Sequence, residues 1–283
     1  MKISFFILLL LMMNPAWATT YTAEQGEVLR IPAPLQGENL SVRALGKSWP
    51  IYQKDGKYIA WIGIHLNTKP ASYAIQWSSG GAASIYTAID NVKVKKGNFR
   101  ISRIKVTKKM SSFDKKAIQR IRADQAAIKK AYQTTVDIHP RWPEMIWPVQ
   151  GVVSTPFAAQ RYVNGHARSP HSGIDIAAPT GTPVKAPLAG KVLLVSNMFL
   201  NGRLVVIGHG DGISTVYAHL NKVLVNQGDT LQQGDIFAEV GSTGRSTGPH
   251  LHWGLHFVGA KVNPKSMLKY AELRKQAPSN SHH

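Results

Sequence analysis

The chain of 283 residues contains no cysteine. That excludes a disulfide framework and leaves no thiol for an acyl anchor, so stability has to come from packing, with a bound metal as the other available source. Acidic residues are scarce, 15 Asp and Glu against 34 Lys and Arg, and the formal net charge is +19. Such a chain is drawn to polyanions, whether nucleic acid, anionic lipid or an acidic polymer of the cell envelope. Long apolar runs are missing as well: the stretch from Ile3 to Met13 falls well short of the roughly 20 residues a membrane-spanning helix needs. Neither the phosphate-loop pattern GxxxxGK[ST] nor a base-reading motif occurs, which removes nucleotides and nucleic acid from the expected ligands.

Met1-Lys2, the short apolar run and Ala16-Trp17-Ala18 have the n-region, h-region and A-x-A site of a secretory signal peptide over residues 1–18, with cleavage after Ala18. The expected product is exported and soluble, in a Gram-negative periplasm or outside the cell, with no transmembrane segment. Export in turn selects the envelope polymer among the polyanions.

A hydrophobic fraction of 43% and this length suit two compact domains, and the pattern is mainly β. Residues 19–106 read as a small β-sandwich accessory domain, with strands at Ser41 to Leu45, Ser72 to Trp77 and Ser84 to Ala88, and a hairpin from Ile51 to Trp61 turning at Asp55-Gly56. Residues 107–144 read as a basic helical linker. From Lys93 to Lys130 basic residues outnumber Asp114 and Asp124 by about seven to one. Phe113, Ala117, Ile118, Ile121, Ile128 and Tyr132 recur near a 3.6-residue period, predicting an amphipathic helix from Ser112 to Gln133 with Ser111 as its N-cap. Its apolar stripe packs on one of the domains; lying on anionic lipid is the competing reading. Pro140, Pro143 and Pro148 end it. Residues 145–268 are rich in glycine and short β runs without a convincing long helix, which predicts an antiparallel β catalytic domain. Residues 269–283 form a tail, with a short helix expected from Met267 to Arg274.

Seven of the eleven histidines fall in that second β-rich stretch. His250 and His252 alternate on one strand face roughly 7 Å apart and can both reach one site, whereas His256 on the same face lies about 13 Å beyond His252, outside the ~2 Å reach of a zinc–nitrogen bond, and is assigned a structural or surface role. His171 and Asp175 are four apart, and Gly173 followed by Ile-Asp-Ile indicates a bend entering a strand that brings the two together. Catalytic zinc takes three N/O ligands and keeps a position for water, so these segments predict a metallohydrolase. His209, between Gly208 and Gly210, reads as turn or core support. Arg168 and Arg245 are either holders of substrate carboxylates or solvated loop arginines.

His171-x-x-x-Asp175, Tyr217-Ala218-His219-Leu220 and His250-x-His252 together make the chain from Trp147 to Pro264 resemble the lysostaphin/LytM-type zinc endopeptidases of peptidoglycan. The resemblance implies Zn²⁺ on His171, Asp175 and His252, with His250 and His219 as catalytic histidines, His250 favoured as the base and His219 as the stabiliser. It implies peptidoglycan as substrate, at cross-linked stem peptides and the bond from D-alanine to meso-diaminopimelate, and a regulatory protein partner. The N-terminal stretch is similar to the β-rich domain that precedes the catalytic one in exported members. Phe157-Ala158 stands where the family usually has Phe-Gly. Relatives that have lost ligands act as non-catalytic wall-binding regulators, which is the competing expectation; here all five positions are filled.

Overall fold

The computed structural model describes residues 18–81, 84–105 and 113–268. The leader over residues 1–17, Ser111 and the terminal helix beyond Leu268 lie outside the described residues. The chain divides into two compact units: residues 18–23, 29–62 and 69–95 in the first, and residues 24–28, 63–68 and 96–268 in the second.

The first unit is β throughout. A long hairpin of Ala71–Gly81 against Ser84–Lys95 sits in a five-stranded sheet, where Ser41–Ala44 pairs antiparallel with it, Val42 opposite Trp77. The Ile51–Lys54 and Lys57–Gly63 strands turn at Asp55 and Gly56, both at positive φ (51° and 73°), as a type I′ hairpin requires. Trp61 and Trp77 are fully buried, and Tyr52 meets Trp61 edge-on at 6.0 Å between ring centroids.

The second unit is built on an eight-stranded sheet whose strands we number β1 (Val152–Thr155), β2 (Gly173–Ala177), β3 (Gly190–Met198), β4 (Gly202–Gly210), β5 (Ile213–Leu220), β6 (Thr230–Leu231), β7 (His250–Phe257) and β8 (Ala260–Val262). Their order is β1-β2-β7-β5-β4-β3-β6, with β8 on β7, and the β1–β2, β2–β7, β7–β5, β5–β4 and β4–β3 pairings are all antiparallel. Residues opposite one another in such pairs share a face. Asp175 faces His252 across β2–β7, and Ala218 faces His252 across β5–β7. The other face carries Ile174, Tyr217 and Trp253, all buried.

The helix α1 runs Lys115–Gln133. Asp114 caps it, its carboxylate accepting from the Ala117 N–H at 2.7 Å, so the helix starts three residues later than the spacing predicted and on a different cap. The buried stripe also differs from expectation. Phe113 and Ile118 stay exposed, while Ala131 is buried against Met198, Leu204, Val206, Val216 and Ala218, with Ala127, Ile128 and Tyr132 packed around it. Periodicity locates the apolar side of a helix but not the sector its neighbours cover. Val216 and Ala218 lie on the His252 face, so α1 covers the same face of the sheet as the histidine motif. Tyr132 confirms this by stacking flat on His256, 4.2 Å between centroids and 4° between planes, which gives His256 the structural role expected.

Candidate active site

Three side chains converge at the edge of that face. His171 leads into β2 and Asp175 sits within it; His252 comes from β7. Asp175 Oδ1 lies 2.9 Å from both His171 Nε2 and His252 Nδ1, and those two nitrogens are 2.9 Å apart. The bend falls at Ser172, and Gly173 opens the strand as glycine for a steric reason: a Cβ there would stand 2.3 Å from the Trp253 carbonyl oxygen on the neighbouring strand.

The donor and acceptor count shows what the cluster needs. His171 Nδ1 lies 3.1 Å from the Pro156 carbonyl, which can only accept, so in the neutral ring the proton is on Nδ1 and Nε2 presents a lone pair. An Asp carboxylate adds only acceptors. One proton on His252 Nδ1 cannot satisfy both partners, but a cation can satisfy all three. The ligand atoms lie within 4.8 Å of one another, and tetrahedral N/O ligation at 2.0–2.1 Å places ligand atoms about 3.3 Å apart, so the set fits zinc after opening by a few tenths of an ångström. Burial opposes ionisation of Asp175, but the His171 and His252 imidazoles beside it outweigh that and hold the carboxyl well below the usual range. Burial likewise pushes His252 down, keeping the imidazole neutral as a ligand must be.

His250 and His219 stand just outside. His250 Nε2 is 3.9 Å from Asp175 Oδ1, an ångström farther than His252 Nδ1, which separates the two histidines that strand spacing had left on equal terms. Each outer histidine commits Nδ1–H to a backbone carbonyl at 2.8 Å, Gly248 for His250 and Thr243 for His219. Both rings therefore leave Nε2 unprotonated in the neutral state, and the rings are 4.7 Å apart between centroids. Burial pushes His219 down to about 4 against the Thr243 hydrogen bond, with His250 and His252 adding to the shift. His219 sits at φ 63°, where β5 slips register against β4 between Tyr217 and Leu220, and its N–H is taken by the Asn201 carbonyl at 2.8 Å. A non-glycine held in the left-handed region marks a site whose surroundings over-determine it.

All five motif residues are thus brought together, and His209 and His256 are not among them. His209 is fully buried in the core between the Ala189 carbonyl and Thr215. Sequence reasoning missed the carbonyls of Pro156, Thr243 and Gly248, which fix three tautomers; every residue carries a carbonyl, so residue type gave no signal. Ser246 was missed as well: its Oγ, 2.7 Å from the Gly248 carbonyl and 3.3 Å from His250 Nδ1, belongs to a loop legible only as glycine-rich.

The fold recurs in known proteins. The crystal structure of a Pseudomonas aeruginosa protein described as a peptidase M23 superposes with a TM-score of 0.66 at 31% identity, over 86% of this chain and 93% of that one. Residues 169–264, which include all five motif residues, match the family described as Peptidase family M23. The chain belongs to peptidase family M23. Among curated M23-like relatives, the DD-carboxypeptidase/endopeptidase Mpg of Neisseria meningitidis is 42% identical over 115 residues, 41% of this chain and 26% of that protein. The peptidoglycan DD-endopeptidase ShyA of Vibrio cholerae is 44% identical over 95 residues, 34% of this chain and 22% of that protein. The chain spans about a quarter of the length of these curated relatives. Among the described residues no helix is long and apolar enough to cross a membrane.

Proposed function

We propose that this M23 member is an exported zinc metalloendopeptidase that hydrolyses the peptide cross-links of peptidoglycan, at the bond from D-alanine to meso-diaminopimelate. The observation that carries the reading is the split of the five residues into three mutually contacting ligand atoms and two flanking imidazoles with free Nε2. The names of Mpg and ShyA, both DD-endopeptidases, supply the substrate class. The secretory pattern of residues 1–18 and the charge of +19 support a location in the anionic envelope where that substrate is found.

In this reading His171 Nε2, Asp175 Oδ1 and His252 Nδ1 hold the zinc. Zinc, when bound, makes a water acidic near neutral pH and polarises a carbonyl. His250, beside Asp175, accepts the proton at Nε2 and returns it to the leaving amine. His219 presents its own Nε2 to the reacting carbonyl group; burial keeps it unprotonated in the free protein, and the negative charge that develops on oxygen would favour its taking up a proton from solvent and steadying that charge. Residues 145–268 form the catalytic domain, with 19–106 an accessory domain and a regulatory protein as the partner class.

The test is zinc content together with muropeptide release from purified sacculi, for wild type, His252→Ala and His250→Ala. The expected result is release by wild type alone, with zinc lost in the first variant and kept in the second. Equal release by all three proteins would remove the enzyme reading and leave a wall-binding regulator.

A further inference from the structure

The rim of the site beside His219 carries two exposed phenylalanines and an arginine that hydrolysis as described leaves without a task. Phe113 and Phe199 are 38% and 44% exposed, and they meet edge to face at 5.9 Å. The Arg245 guanidinium carbon lies 5.5 Å from the centre of the Phe113 ring. Three different parts of the chain supply them: the start of α1, the β3–β4 hairpin and the loop before β7.

Phe199 and Arg245 are tied down through their backbones, and Phe113 touches both through its ring. The Phe199 N–H donates to Asp124 at 2.8 Å, and Arg120 pairs with Asp124 at 3.1 Å while donating to the Asn197 carbonyl at 2.6 Å. The Arg245 N–H donates to the Leu200 carbonyl at 2.8 Å. The cluster is also next to the chemistry. Asn201 accepts the His219 N–H and Thr243 holds the His219 ring, so Phe199 and Arg245 are each two residues, at most roughly 7 Å along the chain, from a direct His219 partner.

Exposed aromatic rings packed on one another near a catalytic cluster are what a binding surface uses, because little entropy is lost when a ligand covers side chains that already hold each other in place. The chemistry of this cluster is specific. Phenyl faces pack on the C–H face of a pyranose ring, and a guanidinium already oriented over a ring binds a carboxylate in bidentate fashion. Lys115 and Lys116, exposed at the start of α1, add positive charge beside it.

We infer that Phe113, Phe199 and Arg245 form a substrate-contacting rim that takes the acidic stem peptide together with the amino sugar from which it hangs, Arg245 on a stem carboxylate and the phenylalanines on the sugar. This rests on the peptidoglycan reading above. It makes the three residues determinants of affinity for glycan-linked cross-links rather than participants in bond cleavage.

The experiment compares zinc-loaded wild type, Phe199→Ala, Phe113→Ala, Arg245→Ala and Arg245→Lys on two soluble substrates, a cross-linked muropeptide dimer with its disaccharides and the same dimer stripped of sugar. Zinc content and thermal unfolding establish that each variant is folded and loaded. On the sugar-bearing dimer, KM is expected to rise about five- to tenfold for the three alanine variants with kcat within about twofold, and Arg245→Lys to recover part of the loss. On the sugar-free dimer the phenylalanine variants are expected to match wild type and Arg245→Ala to stay impaired. Unchanged KM across the variants, or a loss confined to kcat, overturns the inference while leaving the enzyme reading intact. A phenylalanine effect of the same size without sugar overturns the sugar assignment. Failure of wild type to cut either dimer takes down the peptidoglycan reading and this inference with it.

Discussion

Ala158 holds the backbone of His171: its N–H donates to the His171 carbonyl at 2.8 Å, and the His171 N–H returns a 3.0 Å bond to Ala159. Ala158 does so at φ 60°, buried, in the position where the resemblance leads one to expect glycine. Three terms decide what restoring glycine does. Leaving the left-handed region as a non-glycine relieves about 1–2 kcal/mol. Glycine then loses roughly 0.5–1 kcal/mol in chain entropy. The missing methyl removes about 0.8 kcal/mol of burial. Ala158→Gly is therefore expected within about 1 kcal/mol of wild type in urea unfolding, with unchanged zinc affinity. Ala158→Val adds a β-branched side chain at positive φ and should lower stability by about 2 kcal/mol or more and weaken zinc binding at least tenfold in chelator competition. A valine variant that binds zinc like wild type would show that this turn does not position His171.

The same turn is braced from the N-terminal part of the chain. Phe157 is buried, and a Cβ on Gly26 would stand 2.3 Å from its ring edge; Gly26 also sits at φ 90° and accepts the Asn263 N–H at 2.7 Å. Gly26→Ala therefore has neither the space nor the backbone freedom it needs. It should displace Phe157, and with it the Pro156 carbonyl that fixes His171, lowering the midpoint of thermal unfolding by several degrees and raising the zinc dissociation constant. A full-stability Gly26→Ala protein would mean that Phe157 moves aside freely.

Where side-chain type and period carry the information, the sequence was readable. Alternation placed His250 and His252 on one face, and β7 spans the predicted His250 to Phe257. Asp55-Gly56 marked a turn because positive φ selects those residues. What alternation could not do was rank His250 against His252, since a shared face does not say which ring reaches Asp175; the difference between 2.9 and 3.9 Å comes from the register of β7 against β2. Nor could it show that residues 24–28 and 63–68, inside the N-terminal β-rich stretch, belong to the unit that carries the site. That depends on long-range pairing, to which local pattern is blind.

The proposed division between zinc ligands and flanking histidines gives a sharp expectation. His171→Ala and His252→Ala each remove an atom of the convergent triad, Asp175→Asn removes its negative charge, and all three should purify with little zinc. His219→Ala and His250→Ala leave the triad whole and should keep about one zinc per chain while losing roughly 10²–10⁴ in kcat, the range expected for one acid–base or charge-stabilising group. Metal analysis beside turnover on a cross-linked dimer checks this. Zinc loss in His250→Ala equal to that in His252→Ala would make His250 a ligand and collapse the distinction.

His209 gives stability a dependence on acid that is independent of the metal. Its ring is fully buried, with Nδ1–H on the Ala189 carbonyl and Nε2 accepting from Thr215, whose oxygen in turn lies 2.8 Å from the Tyr217 hydroxyl. Burial pushes it down to about 4, so the folded chain keeps it neutral while the unfolded chain takes up a proton below about 6.5. Between those values the unfolded state binds more protons, so stability falls as pH falls, by about 3 kcal/mol once the window is crossed. His209→Gln keeps a donor and an acceptor but cannot titrate. It should be less stable than wild type at pH 7.5, through imperfect packing, and should lose less on going to pH 4.5. Urea unfolding of the metal-free proteins at several pH values tests this, the chelator removing any contribution from zinc release. Parallel curves for the two proteins would place the acid sensitivity elsewhere, in His219, His252 or Asp175, whose folded-state values are also pushed down.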